Sequence, residues 1–125
     1  MIRDLETMLK AAGDRTRLRA LALLAQGPLC VCQIVAVLRL SQSTVSKHLA
    51  VLAAAGLVTD ERRGRWTYYA LARPLSAEGR SLLRLVASAA KDDPQTARDL
   101  AAVGSKSVRG LAACLPASSD SARRP

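Results

Sequence analysis

Apolar residues recur at helical spacing through most of the chain, and the period changes only once. Leu5, Met8, Leu9 and Ala12 share one face of a first amphipathic helix over residues 2–12, which Gly13 interrupts. Asp14 is placed to cap a second helix, running to about residue 25 with Leu18, Leu21 and Ala22 inward. Gly27-Pro28 breaks that helix, and a short third one follows with Ile34, Val35 and Leu38. Ser41 is a good N-cap for a fourth helix whose inward residues are Val45, Leu49 and Leu52, and Gly56 ends it from the C′ position. From Leu57 the pattern alternates: LVTDERRGRWTYYALA predicts two short strands around a turn at Arg63-Gly64. Ser76 then opens a long helix to about Ala90, and Asp93-Pro94 opens another to about Val103. The expected fold is mainly α with one small β-hairpin. Residues 1–103 form the folded domain, and 104–125, ending PASSDSARRP, are expected to be a disordered tail.

Composition narrows the core. Half of the 125 residues are hydrophobic, yet Trp66, Tyr68 and Tyr69 are the only aromatics and Phe is absent. Leu, Ala and Val must fill the interior, which suits packed helices. The formal net charge of +9 favours a polyanionic partner, nucleic acid before an anionic membrane. No stretch approaches the roughly 18 unbroken apolar residues of a membrane span. The opening MIRDLETMLK is amphipathic and does not read as a signal peptide, so a cytoplasmic location is expected. Thiols stay reduced there, and the three cysteines read as free, reactive or metal-binding.

Helices three and four are separated by the short connection of a helix-turn-helix. The exposed N-terminal side of the fourth carries Gln42, Ser43, Thr44, Ser46 and Lys47. These are short hydrogen-bonding groups plus one cation, suited to phosphates and base edges in a major groove, whereas a merely solvated face more often carries Glu and Lys pairs. His48 flanks the buried stripe and is expected to meet a DNA phosphate or to pack. Arg62, Arg63 and Arg65 cluster around Gly64 at the hairpin tip, where guanidinium groups can follow a phosphate backbone, with Asp60 and Glu61 placed to orient them. Trp66 is expected to pack between hairpin and body.

Cys30 and Cys32 stand just before this reading element. Soft thiolates bind soft metals, and two of them one residue apart would form a compact chelate. In a regular helix, residues i and i+2 point to different sides. The pair can therefore meet over one ion only if the segment is non-helical or its first turn unwinds; Pro28 places it near a helix start. The same divergence argues against a disulfide between them. Cys114, in GLAACLPASS, is either a third ligand or a passive thiol near the tail. No CxxC motif, Gly-rich phosphate loop, His cluster or carboxylate pair points to an enzyme or to an organic cofactor.

The segments GDRTRLRALALL, LCVCQIVAVLRLSQSTVSKHLAVLAAAGLV and RRGRWTYYAL, in that order, resemble the ArsR/SmtB family of metal-sensing winged-helix repressors over roughly residues 5–90. The LCVC segment is most similar to the arsenic-responsive branch. The resemblance implies a winged helix-turn-helix homodimer, joined through the first helix and the long helix from Ser76, on a near-palindromic double-stranded operator. It implies release when As(III) or Sb(III) binds cysteine thiolates. Many sensors of that branch carry a third cysteine three residues beyond the pair; here that position is Val35. A third ligand must come from elsewhere, or two thiolates suffice with water or a small thiol. The long helix lacks the histidines of a zinc site used by another subgroup. A repressor that senses oxidants through the same thiols is the alternative reading, and a DNA binder without an effector is a third.

Overall fold

In the computed structural model, which describes residues 2–113, seven helices surround a three-stranded sheet. The order is α1 (Ile2–Ala12), α2 (Arg15–Leu24), β1 (Leu29–Cys30), α3 (Val31–Leu38), α4 (Gln42–Ala54), β2 (Val58–Arg63), β3 (Trp66–Leu71), α5 (Ala77–Ala90), α6 (Pro94–Val103) and α7 (Lys106–Ala113). Side chains start most of the helices as the sequence predicts. Asp14, Ser41, Ser76 and Asp93 each adopt extended backbone and accept a hydrogen bond from the N–H three residues on. At the far end of α4, Gly56 takes φ 78°, and the N–H groups of Gly56 and Leu57 close onto the Ala53 and Leu52 carbonyls. That double closure needs a left-handed residue, which glycine adopts without a Cβ penalty.

The core is aliphatic throughout. Leu21, Leu23, Ile34, Val45, Leu49, Leu52, Leu57 and Val58 are fully buried, with Met8, Ala11 and Ala12 from α1 and Leu82 and Val86 from α5 closing around them. Among the described residues, Leu9 and Leu18, read as inward, are left 50% and 40% exposed, and Leu85 on α5 is 65% exposed. Leu5, Leu9, Leu82 and Leu85 line a groove of about 390 Å3 between α1 and α5. Among the described residues, no helix is long and apolar enough to cross a membrane.

The structure departs from the expected elements in three places. The hairpin is the larger part of a three-stranded antiparallel sheet of order β1-β3-β2, because Leu29 and Cys30 pair with Tyr69 and Tyr68. A two-residue strand has no periodicity of its own and forms only because β3 offers it an edge. Residues 106–113, expected within a disordered tail, form α7, which packs along α3 and places Val108 in the core. Trp66, expected to pack against the body, stands half-exposed opposite Arg63 near the hairpin tip. Tyr69 and Leu71, farther down the strand, make the packing contact instead.

A charged contact docks α6 on α2. Arg19 Nε and Nη2 donate to the two oxygens of Asp99, each at 2.9 Å, and Gln95 Nε2 donates to the same carboxylate at 2.9 Å. Asp99 is only 4% exposed, so its charge has no water to fall back on. Removing it strands the Arg19 guanidinium in a partly buried site. Asp99→Ala is expected to lower stability by about 2–3 kcal/mol, below the full cost for a deeply buried pair because Arg19 keeps some water. The shift in the urea midpoint, with an unchanged slope, measures it.

Candidate DNA-reading surface and sulfur site

The turn between α3 and α4 is short because Arg39 takes φ 59° and ψ 42°, ending α3 in the left-handed region and reversing the chain within three residues. The buried side of α4, Val45, Leu49 and Leu52, then sets which residues face outward. Gln42, Ser43 and Lys47 are exposed, while Thr44 and Ser46 are half-buried. Ser41 Oγ accepts the Thr44 N–H at 3.2 Å and donates to Thr44 Oγ1 at 2.9 Å, with Ser43 Oγ 3.2 Å away. Two of the hydroxyls expected to face DNA are therefore pre-oriented by the cap. Gln42, Ser46 and Lys47 make no side-chain hydrogen bond among the described residues, so they offer polar groups without an internal competitor.

His48 is turned toward α2. Its Nδ1 lies 3.0 Å from Arg17 Nη1 and 4.0 Å from Asp14 Oδ2. The Asp14 carboxyl is held below the ordinary aspartate range, chiefly by the Arg17 backbone N–H and also by the Arg17 charge, against the opposing effect of burial. The contacts of Asp14 and Arg17 with α4 escape a reading based on the helix pattern, which gives Asp14 only as a cap. Their shared contact with α4 depends on how the helices cross.

At the hairpin tip, Gly64 with φ 63° makes the turn, and Arg62 pairs across the strands with Thr67, Arg63 with Trp66. The three arginines are not equivalent. Arg63 donates to Glu61 Oε1 at 3.2 Å, and its Cζ stands 4.8 Å over the Tyr68 ring, held by charge and by the ring's electron-rich face. Arg62 and Arg65 are exposed and have no such partners among the described residues. Of the two acidic residues, Glu61 orients an arginine as expected. Asp60 lies opposite Tyr69 instead, where burial first and the carboxylate second push the phenol's pKa up.

The sulfur pair sits where β1 becomes α3. Cys30 ends the strand and serves as the N-cap, with φ −69° and ψ 147°, and Cys32 is the second residue of the helix. The extended backbone at Cys30 removes the divergence expected of two residues in a regular helix. With Cα atoms 5.3 Å apart, the sulfurs are joined as a disulfide. This corrects the argument against a bond between them, which applied to a pair lying wholly within a helix. Cys30 is 1% exposed and Cys32 half-buried.

Cys30 Sγ accepts the Cys32 N–H at 3.3 Å, and buried Gln33 accepts the Cys30 N–H through Oε1 at 2.9 Å. A cap followed three residues later by Gln is the spacing of a capping box, with cysteine where serine usually stands, so Gln33 was findable from that signal. Among the described residues no group of three or more His, Cys, Asp or Glu side chains could hold a metal ion. Cys114 lies outside the described residues.

Residues 14–60, the span from the α2 cap through the first half of β2, match the family described as "Bacterial regulatory protein, arsR family". The arsenic resistance transcriptional regulator ArsR1 of Pseudomonas putida is 48% identical over 63 residues, which are 50% of this chain and 49% of that protein. The arsenical resistance operon repressor of Bacillus subtilis is 39% identical over 72 residues, 57% of this chain and 69% of that one. The chain spans about half the length of the Pseudomonas putida regulators it matches, 49% of one and 55% of another. Among solved structures, reduced HlyU from Vibrio cholerae superposes with a TM-score of 0.61 and 31% identity, over 70% of this chain and 88% of that one. With helix-turn-helix, wing and family segment in register, the chain belongs to the arsR family of bacterial DNA-binding transcriptional regulators, proteins with a winged-helix fold.

Proposed function

We propose that the chain represses transcription as a homodimer on a near-palindromic operator and lets go when As(III) or Sb(III) is taken up by Cys30 and Cys32. The observation that carries this reading is the position of the two sulfurs, one on the N-cap and one in the first turn of the helix that supports α4. Relatives named for arsenic resistance support the choice of metalloid. As two soft donors close enough to share one ion, Cys30 and Cys32 suit a thiophilic metalloid; a third donor comes from Cys114, a partner subunit or a small thiol.

Release follows from what these residues do for the fold. When reduced Cys30 and Cys32 turn toward a shared ion, the Cys30 sulfur leaves the Cys32 N–H and the cap of α3 changes. Cys30 also pairs in the sheet with Tyr68, whose ring carries Arg63. A disturbed cap thus reaches α4 through α3 and the wing through β3. Linkage requires DNA to weaken metalloid binding by the same factor. Homodimerisation is supported by the exposed Leu9 and Leu85 along the α1–α5 groove and by Ile2, 80% exposed. Two-fold symmetry would then set α4 and its mate in successive major grooves, about 34 Å apart.

A second reading keeps the same DNA surface and makes the effector an oxidant. Its supporting observation is the disulfide joining Cys30 to Cys32. The two readings separate in one titration of operator release followed by fluorescence anisotropy. Under strictly reducing conditions As(III) is expected to release the unaltered protein, while Cys30→Ser and Cys32→Ser, checked for folding by thermal melts, stay bound. Release of both variants at the unaltered protein's As(III) concentration would overturn the metalloid site. Release by peroxide but not by As(III) would move the assignment to the oxidant.

The wing offers an independent test. Affinity carried by phosphate contacts falls with salt in proportion to the contacts made. In a homodimer each substitution removes one contact from each of two wings, so Arg62→Ala and Arg65→Ala are each expected to reduce the slope of log affinity against log salt by about two. Arg63→Ala, whose guanidinium is already engaged by Glu61 and Tyr68, is expected to change that slope less.

A further inference from the structure

Arg17 lies where α1, α2 and α4 meet, and its side chain touches both of the other helices. Its Nε–H donates to the Ala11 carbonyl near the end of α1 at 2.5 Å, and Nη1 stands 3.0 Å from His48 Nδ1 on α4. A guanidinium has only donors, so Nδ1 is the acceptor and the ring's proton sits on Nε2. The backbone of the same residue is pinned as well, since its N–H donates to Asp14 Oδ2 at 3.0 Å. One residue thus gives a partner to a carbonyl in the last turn of α1, where none is available within the helix. It also grips the α4 residue next to Lys47.

The grip supplies something the core does not. Val45, Leu49 and Leu52 hold α4 by burial, and burial is non-directional, so it resists lifting the helix more than small rotations about its axis. A hydrogen bond weakens steeply when its angle is spoiled. We propose that Arg17 is a positioning residue for DNA binding, setting the rotation of α4 through His48 Nδ1 and transmitting to it the placement of α1. The proposal rests on α4 being the helix that reads DNA. It also gives His48 a role distinct from direct contact with phosphate.

The probe is a DNA duplex enriched from a random-sequence pool by the unaltered protein. Arg17→Ala, His48→Ala, His48→Asn and the double variant Arg17→Ala/His48→Ala are compared for affinity, each with a thermal melt. His48→Asn returns an acceptor oxygen close to the place of Nδ1 but has nothing in place of Nε2. Each alanine variant is expected to bind about tenfold more weakly, a typical cost of a hydrogen bond to a charged group. The double variant is expected to be no weaker than either single one, as for two halves of one contact. His48→Asn is expected to stay within about threefold of the unaltered protein.

An asparagine variant as weak as His48→Ala would overturn the proposal and assign Nε2 to DNA contact. Losses that multiply in the double variant would overturn it too. Should Arg17→Ala not fold, Arg17→Lys takes its place with the same expectations, because one ammonium on a shorter reach cannot serve both acceptors. An unaltered protein that enriches no duplex would overturn the DNA reading itself, and the proposal with it.

Discussion

The apolar seam of α4 is the constraint on which the rest of the molecule depends. Val45, Leu49 and Leu52 are completely shielded from water, each burial contributing about 2 kcal/mol. With no phenylalanine available, the seam needs close neighbours on several sides, and α1, α2, α3 and β2 all pack against α4. Once the seam is buried, the opposite side of the helix must face outward, and its N-terminal turn carries Gln42, Ser43 and Lys47 into solvent. The polar face proposed to read DNA is thus a consequence of core packing. The directional contacts around it, Ser41 on Thr44 and Arg17 on His48, refine its orientation.

The junction from β1 to α3 ties that surface to the sulfur pair. Cys30 holds three structural posts at once: it pairs with Tyr68 in the sheet, caps α3 and is bonded to Cys32. A residue with so many obligations cannot change its bonding without consequences for its neighbours. One neighbour is the support helix of the helix-turn-helix, and another is the strand that carries the wing. Sulfur chemistry at this point has short paths to both parts of the proposed DNA-reading surface.

Legibility from sequence followed the range of the forces involved. The caps at Asp14, Ser41, Ser76 and Asp93, the left-handed Gly56 and the turn at Gly64 are local, and each falls where residue type and spacing put it. Trp66 was misplaced because alternation along a strand says which residues share a side, not how far along the strand the body reaches. β1 was invisible because two residues carry no period, and α7 because its weak pattern becomes a helix only against α3. Leu9, Leu18 and Leu85 fit their apolar stripes yet lack cover among the described residues; a hydrophobic pattern records that a side chain is to be buried without naming what buries it.

The candidate site divides the same way. The residue types, their order and the family segment were sufficient to place a helix-turn-helix, an arginine-tipped hairpin and a sulfur pair beside it, because those depend on residue type and on helical or strand spacing. Which arginine is already engaged, that His48 faces Arg17 and Asp14, and that Cys30 and Cys32 can touch were decided by tertiary structure alone. Each depends on the relative placement of two elements, or on one residue standing just outside a helix instead of within it. Local energetics choose the elements, and the angles at which they pack choose which side chains meet.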